Sequence, residues 1–464
     1  MCGGDKVCKR APFIDDSRRF PHIDAMIRPI DAAATLPLDR RALLRGGAWL
    51  GLGATLAGMP AARALAQAAD WPREWRAVLT LIDSYVGPGR LANAVATLGR
   101  DQRAPEFIAR GTLTIGQPAR ADADSLYRIY SMTKPITGMA VMQLIADGKL
   151  ALDQPLAEII PAFAEMRVQH TYDGSLEDTV PAERPITIRH LLTHTAGLGY
   201  SIIQRGAIRQ AYEQQGLTPG PVSRLPIAQL MGRASTVRGL DVLAERLAAL
   251  PLVAQPGTRW SYSVSLDVLG RVIEVVSGQS FPDFLRDRLF APAGMTSTFF
   301  RVPAAEAHRL TTNYFVMGGS LVPLDPAARS VFLEEPGLPA GGAGLVSSPR
   351  DYDRFLRMLL GYGMLDGKRV LAEEAVRLGT SNLLPQGVVT TGTFAAGGGF
   401  GAGGRVGLGD QAGTYGWAGA AGTVGLVDLR RGLRANFMTQ YMPADAYPLH
   451  SAFPAAVMAD ITGR

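Results

Sequence analysis

Apolar residues in the early part of the chain recur first at helical and then at strand spacing. Over residues 71–86 they fall three and four positions apart, which predicts an opening helix. Residues 92–98 and 107–115 alternate or run apolar on either side of a polar turn, which predicts an antiparallel hairpin. Residues 131–148 return to helical spacing, and Gly148 is the expected stop.

The rest of the chain divides into a helical middle and a mixed final part. Between residues 153 and 339, helical runs such as 241–250 and 267–276 alternate with Pro- and Gly-rich connections. We expect the early and late strands to share one sheet. This expectation divides the chain into a sheet lobe of about residues 70–130 and 341–464 and a mostly helical lobe of about residues 131–340. The final part is predicted to contain helices at 350–360 and 453–461, and strands around Phe400 and over 423–427 and 433–439.

Composition indicates a globular protein and argues against a nucleic-acid partner. Of the 464 residues, 47% are hydrophobic and 19% are charged, within the range of folded domains. The net charge of +6 is concentrated at the start, where residues 1–66 hold ten basic and six acidic side chains. The remainder is nearly balanced and contains no lysine-rich run or paired Cys/His spacing, so we expect no nucleic acid as a partner.

Residues 1–66 carry the marks of an export signal with a long amino-terminal region. Arg40-Arg41 precede a weakly apolar run over residues 46–58, and Ala64-Leu65-Ala66 follows it. This order resembles a twin-arginine leader, which implies the twin-arginine export machinery as a partner and a periplasmic or secreted location. Cleavage after Ala66 would leave a mature domain of residues 67–464. An apolar run of 13 residues is shorter than a stable membrane span requires.

The two cysteines also bear on the leader. Cys2 and Cys8 both precede the predicted cleavage site, so the mature chain would contain no thiol. Translation from Met26 instead of Met1 would shorten the long amino-terminal region, and the sequence leaves both starts open.

Ser131 and Lys134 form the first candidate for chemistry. Residues three apart on a helix lie on one face, so the hydroxyl and the amine can approach each other. A serine hydroxyl is a weak nucleophile until a base accepts its proton, and a neutral lysine can be that base. Residues 67–464 contain only three lysines against 34 arginines, so a need for positive charge alone does not account for Lys134. Taken alone, the four-residue pattern also fits an ordinary helix start with a solvated lysine.

The segment that contains this pair resembles a known superfamily, and four further blocks of sequence support the resemblance. Residues 127–138 (YRIYSMTKPITG) resemble the nucleophile segment of the serine β-lactamase and penicillin-binding protein superfamily, especially class C β-lactamases and family VIII carboxylesterases. The resemblance implies an α+β fold, with an antiparallel sheet flanked by helices plus a mostly helical lobe. It implies no cofactor and no metal. The supporting blocks are 190–197 (HLLTHTAG), 260–270 (WSYSVSLDVLG), 341–347 (GGAGLVS) and 416–423 (GWAGAAGT).

The resemblance assigns roles to four residues. Ser131 would be the acylated nucleophile, Lys134 its proton-accepting partner, and Tyr262 a second base that activates water for deacylation. The backbone N–H groups of Ser131 and Ala420 would form the oxyanion hole, and such donors typically contribute about 3 kcal/mol each to transition-state stabilisation.

Two departures from the superfamily pattern change the expected substrate. Val264 occupies the position of the asparagine of Y-x-N and cannot hydrogen-bond a substrate amide. Trp417-Ala418-Gly419 replaces K-T-G and so lacks the cation and the hydroxyl that bind a carboxylate, and similar W-x-G replacements are typical of family VIII carboxylesterases. These substrate-binding positions therefore favour a small-molecule ester over an anionic acyl-amide, with hydrolysis through acyl-Ser131.

Two alternative functions remain open. β-Lactamase or D-alanyl-D-alanine carboxypeptidase activity would need another cation, for instance Arg405. A non-catalytic acyl-binding or sensor module could also use the same fold. His190 and His194 have the spacing of a metal pair, but no third ligand is evident in the sequence, which favours a structural role.

Overall fold

The computed structural model describes residues 75–220, 222–225 and 236–463. The predicted export signal, both possible starts and both cysteines lie outside these residues. The chain divides into two units, Met1–Arg76 and Ala77–Arg464, and the fold described below is that of the second. Within the described ranges, no helix has the length and apolar character to cross a bilayer.

A seven-stranded antiparallel sheet joins the two ends of this unit. Val95 lies opposite Met438, so the early hairpin pairs with the last long strand, which confirms the prediction of a shared sheet. The strands, in spatial order, are Gly398–Phe400, Arg405–Gly407, Thr414–Ala418, Val424–Asp428, Leu433–Met438, Asn93–Arg100 and Glu106–Gly111.

The second strand ends earlier than the apolar pattern predicts. It stops at Gly111, whereas the prediction extended to residue 115. Gly111 has a φ of +84°, and a Cβ there would lie 2.1 Å from the Ala92 carbonyl oxygen. The chain turns at this close approach, which only glycine permits. The hydrophobic alternation in the sequence continues past this turn, so it predicts a strand that is too long.

Helices pack around the sheet and fill the middle of the chain. The helix predicted over residues 131–148 is an α-helix only from Thr133, since a 3₁₀ turn at Tyr130–Met132 precedes it. The α-helices of the described residues are Arg76–Val86, Thr133–Ala146, Ile188–Leu192, Gly206–Gln214, Leu240–Ala248, Ser265–Ser277, Phe281–Leu285, Ala291–Ala293, Pro349–Leu360, Glu373–Gly379 and Leu449–Thr462.

Several short strands lie outside the main sheet. Those within residues 131–340 form hairpins that the apolar pattern did not predict. The pairs are Tyr127–Arg128 with Val346–Ser347, Arg167–Gln169 with Thr179–Pro181, and Met364–Leu365 with Lys368–Arg369. A three-stranded sheet combines Asn313–Met317, Ser320–Asp325 and Tyr441–Met442.

Helix Thr133–Ala146 lies at the centre of the core. Its residues 133–144 are all buried, as expected of a mostly apolar helix that is surrounded by packing partners. Just before it, Arg128 is fully buried and its Nε donates a 2.7 Å hydrogen bond to Asp325. Arg128 also donates to the Thr311 carbonyl at 2.6 Å, so a satisfied buried ion pair anchors the chain that leads into Ser131.

Candidate active site

Ser131 lies in the tight turn that opens the central helix. The preceding residue, Tyr130, has a φ of +40°, which is rare for a residue with a side chain and is costly unless packing enforces it. Tyr130 is buried and meets Phe332 edge-on at 6.1 Å between ring centroids, while Met132 is buried on the other side. Ser131 itself is only half-buried, so part of its surface remains accessible at this turn.

The three predicted catalytic side chains meet at one atom. Lys134 Nζ donates to Ser131 Oγ at 3.2 Å, and the Tyr262 hydroxyl donates to the same oxygen at 2.7 Å. Lys134 is fully buried, whereas Tyr262 is 8% exposed, at the segment just before helix Ser265–Ser277. Two groups able to exchange protons thus flank one serine hydroxyl, the arrangement that nucleophilic catalysis requires.

A peptide group of the glycine-rich turn holds Lys134 in place. Lys134 Nζ donates to the Gly342 carbonyl at 2.7 Å, and the Gly342 N–H donates to Asp267 Oδ1 at 2.8 Å. Burial raises the pKa of Asp267, and the positive charge of Lys134 opposes that rise. A Cβ at Gly341 would lie 2.3 Å from the Leu266 carbonyl oxygen, so the turn fits between two helices because this position carries no side chain.

Sequence reasoning missed Asp267. The signal was present within residues 260–270, where a single carboxylate interrupts an otherwise uncharged segment. What the sequence did not reveal is its partner, because Gly342 lies 75 residues further along the chain.

Trp417 adds a hydrogen-bond donor to the site. Its Nε1–H donates to the Tyr262 hydroxyl oxygen at 3.3 Å, and its ring lies 5.8 Å from the Tyr262 ring and 5.2 Å from Phe400. The sequence showed that Trp417 takes the place of the cation in K-T-G, and the structure adds that its indole hydrogen-bonds the phenol.

The end of strand Thr414–Ala418 lies against the segment that leads to Ser131. A Cβ at Gly419 would lie 2.4 Å from the Ile129 carbonyl oxygen, so glycine allows the two chains to approach. The Gly419 N–H donates to the Thr423 carbonyl at 2.8 Å, whereas the N–H of Ala420 has no acceptor among the described residues. Ala420 therefore has a donor available for a bound oxyanion, as its predicted role requires.

Two other predicted residues lie apart from this cluster. Val264 is 2% exposed and packs in the core, so it offers a substrate little surface. The Arg405 guanidinium donates to Gln411 Oε1 at 3.1 Å and to the Ala396 carbonyl at 3.2 Å, and burial lowers its pKa. Within the described ranges, no hydrogen bond or ion pair links Arg405 to Ser131.

His194 is a buried aromatic neighbour of the site. Its Nδ1 accepts the Ser263 N–H at 3.2 Å, which assigns the ring proton to Nε2, and burial with the nearby Lys134 charge holds its pKa well below the usual range. The ring lies 4.9 Å from Tyr262. In the described part of the chain, no three His, Cys, Asp or Glu side chains form a metal-binding group.

Phe394 contacts the site from a segment that sequence reasoning left unassigned. Its ring meets Tyr262 edge-on at 5.7 Å, yet the side chain remains 51% exposed. A lone aromatic among Gly, Thr and Ala residues has no distinctive spacing, so only the folded chain reveals its position.

Comparisons with known proteins agree with the motifs. The Beta-lactamase family model matches residues 80–453. Protein Rv1367c of Mycobacterium tuberculosis is 37% identical over 294 residues, which cover 62% of this chain and 67% of the relative. Esterase EstB of Burkholderia gladioli is 32% identical over 296 residues, which cover 60% of this chain and 68% of the esterase.

Solved structures show the same fold. EstCE1, a hydrolase with promiscuous acyltransferase activity, aligns with a TM-score of 0.66 at 25% identity over 82% of this chain and 98% of its own. Unliganded simvastatin synthase (LovD) from Aspergillus terreus aligns with a TM-score of 0.64 at 22% identity over 83% of this chain and 98% of its own, a likeness of fold alone. The predicted β-lactamase-like α+β fold and serine-hydrolase character are thereby confirmed, and the chain belongs to the Beta-lactamase family.

Proposed function

We propose that this protein is an exported esterase that hydrolyses small carboxylic esters through an acyl-Ser131 intermediate. The observation that carries the proposal is the convergence of Lys134 and Tyr262 on Ser131 Oγ, with an indole where a carboxylate-binding enzyme needs a cation. Export rests on the leader motif around Arg40-Arg41.

The contacts suggest how the residues divide the chemistry. Ser131 Oγ attacks the ester carbonyl carbon and loses its proton to Lys134. The backbone N–H groups of Ser131 and Ala420 receive the oxyanion. Tyr262 gives its proton to the departing alkoxide and recovers one from the water that attacks the acyl-enzyme, while Lys134 returns its proton to Ser131 Oγ as the acid leaves.

The surrounding charges favour a neutral substrate. Lys134 is fully buried behind Ser131 and its amine is committed to Gly342, so it is poorly placed to bind a substrate carboxylate. Arg405 is committed to neutral acceptors elsewhere. A carboxylate beside Trp417 would lose its hydration without gaining an ion pair, which is unfavourable.

Hydrolysis of p-nitrophenyl acetate and of nitrocefin by the full chain tests the proposal. We expect ester turnover that disappears in Ser131→Ala and persists in the control Ser84→Ala, whose hydroxyl is exposed on the opening helix. Comparable turnover of nitrocefin would favour the β-lactamase alternative, and binding without turnover would favour the acyl-binding module. Cell fractionation of an Arg40→Lys/Arg41→Lys variant tests export, and an unchanged distribution of the protein would argue against it.

A further inference from the structure

Phe394 places an exposed apolar ring directly beside Tyr262. The ring meets Tyr262 edge-on at 5.7 Å and is 51% exposed, an unusual amount for a phenylalanine in contact with a buried cluster. Trp417 lies 5.8 Å from the same tyrosine and donates to its hydroxyl. Both aromatic rings therefore flank the phenol that contacts Ser131.

The chemistry of the step defines which part of an ester meets these rings. The group that protonates a departing alkoxide must lie beside it, within hydrogen-bond reach. Lys134 is fully buried, so Tyr262 is the more accessible of the two proton carriers. The alcohol portion of the ester therefore leaves on the Tyr262 side, while the acyl carbon stays on Ser131.

The segment that carries Phe394 also borders a cavity. Residues 390–391 and 397–398 line this cavity of about 540 Å³, and Phe394 lies in the turns that connect them without lining it. The lining is uncharged and combines the exposed Val389 and Leu408 with polar side chains such as Asn382. It is the exposed apolar ring next to the reactive group that is typical of a ligand site.

We propose that Phe394 and Trp417 form an apolar platform for the alcohol portion of the substrate, which selects uncharged esters of apolar alcohols. The inference rests on the proposed esterase function and names its substrate class. The platform would distinguish ester substrates by their alcohol leaving group and not by their acyl chain.

Two substrate series applied to the full chain test the platform. One series keeps the acetyl group and lengthens the alcohol from ethyl to butyl to hexyl, and the other keeps ethanol and lengthens the acyl chain. Each buried methylene contributes about fourfold to binding, so contact of two methylenes with Phe394 contributes about 15-fold. We expect Phe394→Ala to lower kcat/KM for hexyl acetate about 15-fold, to change ethyl acetate less than about twofold, and to leave the acyl series unchanged.

Matched variants separate a loss of preference for long alcohols from a general loss of activity. Met317→Ala removes a side chain that is 61% exposed on the hairpin of a separate sheet, and it should change neither series. Phe394→Leu keeps part of the apolar surface and should restore part of the preference for long alcohols. Because Phe394 is half exposed, its truncation should leave Tm nearly unchanged.

Three results would overturn the platform while leaving the esterase intact. The preference for long alcohols could survive in Phe394→Ala, the loss could be equal for all esters, or the loss could follow the acyl chain. Equal loss would mean that Phe394 only positions Tyr262. If the wild-type chain hydrolyses no ester, the proposed function fails and the platform fails with it.

Discussion

Replacement of Trp417 by phenylalanine isolates one hydrogen bond of the site. The indole Nε1–H donates to the Tyr262 hydroxyl oxygen at 3.3 Å, and that hydroxyl donates onward to Ser131 Oγ at 2.7 Å. Phenylalanine keeps a ring against Phe400, which lies 5.2 Å away, but it has no donor. The variant therefore changes the environment of the phenol oxygen more than the packing around it.

The size of the effect follows from the geometry. A neutral hydrogen bond typically contributes about 0.5–1.5 kcal/mol, and 3.3 Å is longer than the usual N–H···O distance of about 2.9–3.0 Å. The Trp417 bond strengthens if the phenol oxygen gains negative charge in the transition state, because bonds to charged groups are stronger. We expect kcat/KM for ethyl acetate to fall about twofold to tenfold, since each 1.36 kcal/mol is a factor of ten.

A double-mutant cycle shows whether the bond acts through the phenol. In a Tyr262→Phe background, Trp417→Phe should lower kcat/KM no further, because the acceptor is already absent. Equal losses in both backgrounds would refute the reasoning, and so would an unchanged rate in the single variant. Tm of each variant provides the control for folding.

The remaining predictions concern Lys134 and two buried titratable groups. Lys134→Arg keeps the positive charge but cannot accept a proton, so turnover of p-nitrophenyl acetate should fall by about 10²-fold or more, and near-normal turnover would contradict the assigned role. Burial raises the pKa of Asp351 to about 6, against the opposing hydrogen bonds from Ser297 and Thr298, so the folded chain holds a proton that the unfolded chain releases. The free energy of unfolding of the wild type should therefore fall by about 3 kcal/mol in total as pH rises from 4 to 6. Urea unfolding should show Asp351→Asn becoming more stable relative to the wild type over that range, and a difference that does not change with pH would contradict this. Burial lowers the pKa of His190 to about 4, so the unfolded chain holds a proton that the folded chain releases. The free energy of unfolding should therefore rise between pH 4 and 6.5, and His190→Gln should remove that rise in the same titration.

Local patterns predicted the elements whose causes are local. Apolar spacing placed the helix that the structure has at Pro349–Leu360 and the strand at Leu433–Met438 within one or two residues. Ser131 and Lys134 are three residues apart at the start of a helical segment, so their approach needs little beyond that segment. The end of the strand at Gly111 was misplaced because a close contact with Ala92, and not the apolar pattern, stops it.

Tertiary structure decided the parts of the site that depend on distant neighbours. Tyr262 meets Ser131 across 131 residues, and Trp417 meets Tyr262 across 155, because the helices and the main sheet pack together and bring these segments to one place. The exposure of Phe394 likewise depends on which surfaces remain uncovered after packing. The sequence by itself determined which residue types are present and their local spacing, whereas only the packed chain decided which atoms touch, because hydrogen bonds and burial between remote segments depend on the whole fold.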